Sequence, residues 1–172
     1  FRAYNNLGEM AFAAGDMAKA ESFFKQAAAK NANAPEVNAN LGLCELVKNN
    51  VASAESYLGK ATGANAANEA LGNLYIKQGQ YQRAVNAFGD AKTNSAAQAQ
   101  ILAKDYNKAK ATLQAIKDKD AMTDYLMAIV GARTNNESLV KSSIKSAIAK
   151  DASLAAKAAN DREFAKFASA LK

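Results

Sequence analysis

The sequence predicts an all-α protein, an α-solenoid of about five helical hairpins closed by a C-terminal capping helix. Three observations lead there. Of 172 residues, 42 are Ala and one is Pro (Pro35), with few runs of β-branched residues, so strong helix formers dominate. The stretches NLGEMAFAAGDMAKAESFF (residues 6–24) and ALGNLYIKQGQYQRAVNAF (70–88) hold Leu-Gly, Gly, Ala and Phe in the same relative places. Gly or Asn stands at Gly15, Asn49, Gly79 and Asn135, where a helix that stops and reverses needs a residue at positive φ. One hairpin cannot bury its apolar face alone, and repetition lets each copy cover its neighbour.

The first unit, about residues 1–34, carries Tyr4, Leu7 and Met10 or Ala11 at three- and four-residue spacing, which puts them on one helix face. Gly8 and Ala20 are small where two axes approach closely, and Phe24 fills the space beside them. The second unit, 35–64, turns at Asn49-Asn50 with Leu41-Gly42 before and Ala54, Leu58 and Ala61 after. Unit three, 65–92, turns at Gly79-Gln80. Unit four, 93–118, turns at Lys104-Asp105 and continues with Tyr106, Ala109, Leu113 and Ile116. Its short spacing cuts its first helix to roughly 95–103, and Lys104 is the one turn residue that is neither Gly nor Asn. Unit five, 119–152, turns at Asn135-Asn136 and places Val140, Ile144 and Ala147 after it. Residues 153–172 then offer two short helices with Leu154, Phe164, Phe167 and Leu171 as apolar contacts, the expected cap on an exposed last repeat. Tyr75, Tyr81, Tyr106 and the lone Cys44 are expected as core.

The same composition removes several kinds of chemistry. With no His and only Cys44, the chain cannot build the usual zinc site, a Ser-His-Asp triad, a Cys-His pair or an internal disulfide. No calcium loop or phosphate-cradling Gly-rich loop is written in it. The expectation is a protein that is not an enzyme, with no cofactor, no metal and no small-molecule substrate. There is no apolar run long enough to span a membrane. The net charge is +6, with 14 basic and 9 acidic groups in residues 87–172 against 8 and 7 in residues 1–86. Lys104, Lys108, Lys110, Lys117 and Lys119 alternate with Asp105, Asp118 and Asp120, so a solvated lysine face is preferred over a nucleic-acid site.

The pattern Leu7, Gly8, Ala20, Phe24, Ala27 resembles the tetratricopeptide repeat, a helix-turn-helix unit, and the resemblance runs over essentially the whole chain. It departs from the pattern at Asn38 and Asn68, where an aromatic is usual, at the displaced Pro35, and at Val140 in a small position. The resemblance implies a right-handed superhelix whose first helices line a concave groove that holds a peptide or partner protein. In that register the groove residues are Arg2, Asn5, Glu9 and Phe12, then Ala39, Asn40, Leu43 and Val47, then Glu69, Asn73, Ile76 and Lys77, with Tyr125, Ile129 and Arg133 from unit five. One subgroup of the family clamps a C-terminal carboxylate with Lys, Arg and Asn. Only Asn40 coincides with that set, Asn5, Glu9, Ala66 and Ala70 standing at the other places, so this ligand is not expected. Asn side chains in the groove suit the backbone of an extended peptide, since an amide both donates and accepts.

The expected function is therefore a protein–protein interaction scaffold. The alternative is a structural spacer within a larger cell-envelope protein, as the opening on Phe1 inside a helical pattern is expected of an excised portion of a longer chain. AMTDYLMAIVGARTNNESLV with DREFAKF also looks like the last repeats of Gram-negative envelope proteins, which implies a periplasmic or envelope location, with a cytoplasmic one as the alternative.

Overall fold

A computed structural model describes residues 1–172, the side chain of Ala170 excepted, and the chain is helical throughout. Helices α1 (Arg2–Ala13) and α2 (Met17–Lys30) form a first hairpin, α3 (Pro35–Val47) and α4 (Val51–Lys60) a second, and α5 (Asn65–Lys77) follows. After it come α6 (Tyr81–Phe88), the hairpin of α7 (Asn94–Leu102) and α8 (Tyr106–Ala115), and that of α9 (Ala121–Arg133) and α10 (Glu137–Lys150). A short α11 (Leu154–Asn160) and a 3-10 segment (Arg162–Leu171) end the chain. Two compact units result, Phe1–Lys77 and Gln78–Lys172.

Paired helices are joined by three residues, the middle one left-handed: Gly15 (φ 80°), Asn49 (60°), Lys104 (64°) and Asn135 (56°). The next residue donates its N–H to the carbonyl five positions back, Asp16 to Ala11 (2.9 Å), Asn50 to Glu45 (2.8 Å), Asp105 to Gln100 (2.9 Å) and Asn136 to Gly131 (2.7 Å). This bonding satisfies carbonyls that a helix end otherwise leaves open. Asp16, Asp105 and Asn136 then accept from the N–H groups of Lys19, Lys108 and Leu139 and so cap the following helix. Lys104, which breaks the Gly/Asn rule, takes the same conformation, and the bond from Asp105 to Gln100 closes around it as in the other turns.

In the first unit, Ala20, Phe24 and Ala27 of α2 pack with Val37, Leu41 and Cys44 of α3, and Leu58 of α4 with Ala61 just after it packs with Ala39, Ala67 and Leu71. Gly8 and Gly42 are required by close approach: a β-carbon would lie 2.4 Å from the Phe24 ring in one case and 2.6 Å from Leu58 in the other. Asn38, standing where an aromatic is usual, is buried, and its amide donates to the carbonyls of Ala32 (2.9 Å) and Ala34 (3.0 Å). It replaces packing by tying down the loop that enters its own helix.

In the second unit Ala97, Ile101, Ala109, Leu113, Leu126 and Val130 form one cluster and the α9–α10 hairpin with the C-terminal segment another. Val140, the large residue in a small place, is fully buried, and Gly131 permits close approach of α9 to the α10 backbone beside it, where a β-carbon would stand 3.0 Å from the Val140 nitrogen and 3.2 Å from Leu139 Cβ. The C-terminal segment is 3-10, with a kink at Phe167 (φ −110°, ψ 16°), where an α-helix would be the simplest expectation. A three-residue period stacks Phe164 and Phe167 on one side, and both are buried against Val140, Ile144 and Ala147.

Candidate functional site

The first helices of the two hairpins in the first unit, α1 and α3, lie side by side and are joined by a polar cluster. Asn40 Nδ2 donates to Asn5 Oδ1 (2.9 Å) and to Glu9 Oε1 (3.1 Å), and Asn5 Nδ2 donates to the same Glu9 oxygen (2.8 Å). Spacing of four residues puts Asn5 and Glu9 on one face of α1, and the neighbouring helix brings Asn40 to both. Asn5 is only 5 % exposed, so it does not offer itself to a ligand but holds Asn40 in place. Asn40 is half-buried and Glu9 exposed. Among the described residues the Asn40 Oδ1 atom and the second Glu9 oxygen carry no partner, which leaves two acceptors unused by the cluster.

Phe12 and Leu43 are half-buried beside this cluster, while Asn73 is half-buried and Glu69 and Lys77 exposed on α5. The first unit therefore places Glu9, Phe12, Asn40, Leu43, Glu69, Asn73 and Lys77 at its surface and withdraws Asn5. Near the turn of the second hairpin Lys48 pairs with Glu21 (3.1 Å) and with Glu45, and Lys25 pairs with Glu21 (2.7 Å). Hydrogen bonds from Lys25, then Lys48, hold the Glu21 carboxyl below the usual range, and Lys48 does the same for Glu45. Burial pushes the Cys44 thiol up, away from reactivity.

The second unit corrects one expectation, Tyr125, and gives another, the exposed Arg133, an ion-pair partner. Tyr125 is 2 % exposed, packs edge-on against Phe164 (5.5 Å between centroids), and donates to Asp161 Oδ2 (2.6 Å). It is a core residue, because the C-terminal segment folds over the side of α9 that the register assigned to the groove. Burial, then the Asp161 carboxylate, push its phenol well above the ordinary value. Arg133 is drawn to the same segment by a paired contact to Glu163, Nε donating to Oε2 (2.7 Å) and Nη2 to Oε1. That contact raises the Arg133 pKa and keeps its charge engaged.

One polar bridge escaped the sequence reading. Asn94 Nδ2 donates to Asp120 Oδ1 (3.0 Å), and Thr123 donates to Asn94 Oδ1 (2.9 Å), joining the starts of α7 and α9. Asn94 stands ten residues before Lys104, as Asn5 stands ten before Gly15, so the recurrence was available as a signal.

A tetratricopeptide repeat model matches residues 11–75, and a second model of the same repeat matches residues 67–96. No curated protein sequence matches the chain. Among solved structures, a tetratricopeptide repeat protein from Parabacteroides merdae is similar with a TM-score of 0.75 at 18% identity, over 99% of this chain and 77% of that one. A thermophilic tetratricopeptide repeat protein of Thermus thermophilus is similar with a TM-score of 0.54 at 16% identity, over 99% and 98%. These likenesses share the α-solenoid of helical hairpins.

Proposed function

We propose, from the premise that this chain belongs to the tetratricopeptide repeat family, that it is a non-catalytic scaffold that binds an extended peptide segment of a partner protein along α1, α3 and α5 of the first unit. The observation that carries this reading is the Asn5–Glu9–Asn40 cluster. Its three side chains fix one another, so Asn40 needs little further ordering when a ligand arrives, which lowers the entropic cost of binding. The unpartnered groups of the cluster are acceptors, and they suit the backbone N–H groups or the basic side chains of the segment. Half-buried Phe12 and Leu43 give apolar contact beside them, and Asn73 continues the amide row. With Glu9 and Glu69 exposed on this face, a terminal carboxylate is disfavoured as the ligand.

The test is a display selection of random peptides on the intact chain, followed by titration of the enriched sequences against wild type and the Asn40→Ala, Asn73→Ala double variant. Enriched peptides that carry Lys or Arg and bind the double variant about tenfold or more weakly support the reading. Peptides bound equally by both proteins refute it.

A further inference from the structure

Along α1, α3 and α5 the side chains of the peptide face change character from the helix start toward the turn. Asn5, Glu9 and Phe12 stand at i, i+4 and i+7 on α1, and Asn40, Leu43 and Val47 at i, i+3 and i+7 on α3, so each set lies on one side of its helix. On α5, Glu69 and Asn73 are followed by Ile76 in the spacing of α1. The polar Glu9, Asn40, Glu69 and Asn73 stand six, nine, ten and six residues before the left-handed turn residues Gly15, Asn49 and Gly79. The apolar Phe12, Leu43, Val47 and Ile76 stand three, six, two and three residues before the same turns. Val47 is 60% exposed, and Phe12, Leu43 and Ile76 are half-buried. Two bands therefore cross the three helices, a polar one toward the helix starts and an apolar one toward the turns. Glu9 and Glu69 make no ion pair among the described residues. The cations on this face are Arg2, seven residues before Glu9, and Lys77, eight after Glu69, about 10–12 Å away along their helices.

We propose, resting on the peptide-binding reading above, that the partner segment is an extended strand in which Lys or Arg alternates with Val, Ile or Leu. Successive side chains of an extended chain point to opposite sides, at about 3.3 Å per residue. A strand laid across the three helices between the bands therefore turns one set of side chains to the polar band and the other to the apolar band. Helices packed side by side lie about 8–10 Å apart, so the path from α1 over α3 to α5 takes about six or seven residues of strand. The set that meets the polar band is basic because Glu9 and Glu69 have charges that nothing in their own unit pairs with. The other set is apolar because it covers Val47 and the half-buried Leu43, Phe12 and Ile76, where a charged side chain would lose water without gaining a partner. Neither charge alone nor apolar surface alone satisfies this face, and the alternation is what an extended backbone adds.

The probes are two labelled synthetic peptides of equal composition with blocked ends: Lys-Val-Lys-Val-Lys-Val-Lys, and Lys-Lys-Val-Val-Lys-Lys-Val, whose valines gather on one side only in a helix. Each is titrated against the full chain by fluorescence anisotropy. The alternating peptide is expected to bind saturably, about tenfold or more tighter than its isomer. Its binding should weaken about threefold or more with Val47→Gln, which removes apolar surface, and about tenfold or more with Glu9→Gln and Glu69→Gln together. The latter pair removes charge while keeping the Glu9 oxygen that Asn5 and Asn40 bond. All three positions are exposed, and circular dichroism verifies that the variants stay folded. Equal binding of the two peptides, or binding of the alternating one that is insensitive to either variant, overturns the inference, and the scaffold reading outlives it if Asn40→Ala with Asn73→Ala still weakens both peptides. Tighter binding of the isomer assigns the face to a helical segment and also overturns it. Binding of neither peptide up to about 1 mM overturns it as well, while the display selection judges the scaffold reading separately.

Discussion

Replacing Lys104 by Gly isolates the cost of a left-handed residue that carries a side chain. Lys104 sits at φ 64° between α7 and α8. A β-carbon in that region costs about 1–2 kcal/mol. Glycine removes that cost but adds roughly 0.5–1 kcal/mol of chain entropy in the unfolded state. The Lys104 side chain is exposed and has no partner among the described residues, so its removal costs only the weak attraction of a cation for a helix C-terminus, roughly 0.3 kcal/mol. A net stabilisation of about 0.5 kcal/mol, rising to roughly 1 kcal/mol if the strain is at the upper end, follows from these terms. Ala103→Gly is the control: with φ −76° it has no strain to relieve and should lose roughly 0.5–1 kcal/mol. Asn49→Gly should gain less than Lys104→Gly, because Asn tolerates the left-handed region better than Lys. Urea unfolding followed by circular dichroism measures all three, with thermal midpoints moving by roughly 2–4 °C per kcal/mol for a chain of this size. If Lys104→Gly leaves stability unchanged or lowers it while Ala103→Gly falls as expected, the strain argument is wrong.

Three further perturbations test other parts of the structure. Gly8→Ala should destabilise by roughly 1–3 kcal/mol despite its better helix propensity, because the new carbon overlaps the Phe24 ring, and Phe24→Leu in the same chain should recover part of the loss in a double-mutant cycle. Gln100 is buried and its Oε1 has no partner among the described residues, so Gln100→Met should be neutral or stabilise by up to about 1–2 kcal/mol in urea titration, and a clear loss would reveal a hidden acceptor role. Asp120 is held below the usual carboxylate range by the Thr123 N–H first and then by Asn94. Its folded pKa is depressed, so its contribution is present above the ordinary carboxylate pKa of about 4 and is lost as pH falls through the lower folded value. Asp120→Asn should therefore flatten the decline of the urea midpoint on acidification below that range, and an unchanged decline would dismiss this group as a contributor.

Much of the architecture was legible because its signals are local. Gly15, Asn49, Gly79 and Asn135 mark turns by backbone chemistry alone, and the shortened helix before Lys104 follows from counting. What was not legible depends on pairs of residues distant in sequence. That Gly131 is needed for close approach shows only once the α10 backbone at Val140 is seen against it. Tyr125 reads as a groove residue by register, and only the return of the C-terminal segment shows that it is buried with its hydroxyl on Asp161, while Arg133 stays exposed and pairs with Glu163. Asn5 and Asn40 carry the same letter but different roles, because one is buried under the other's hydrogen bond. Periodicity says which face a side chain is on, and not what arrives to meet it.

The three-residue turn also decides how the molecule opens. Asp16 ends the hydrogen-bond ladder of one helix and begins that of the next, as Asp105 and Asn136 do in their hairpins. Neither helix of such a pair can unwind from the turn without breaking the other's first bond. Fluctuations are thereby directed to the longer connections, such as residues 31–34 and 61–64. Amide protons on the two helices of one hairpin should exchange as a single cooperative group, and the hairpin, not the helix, becomes the quantum in which this chain melts.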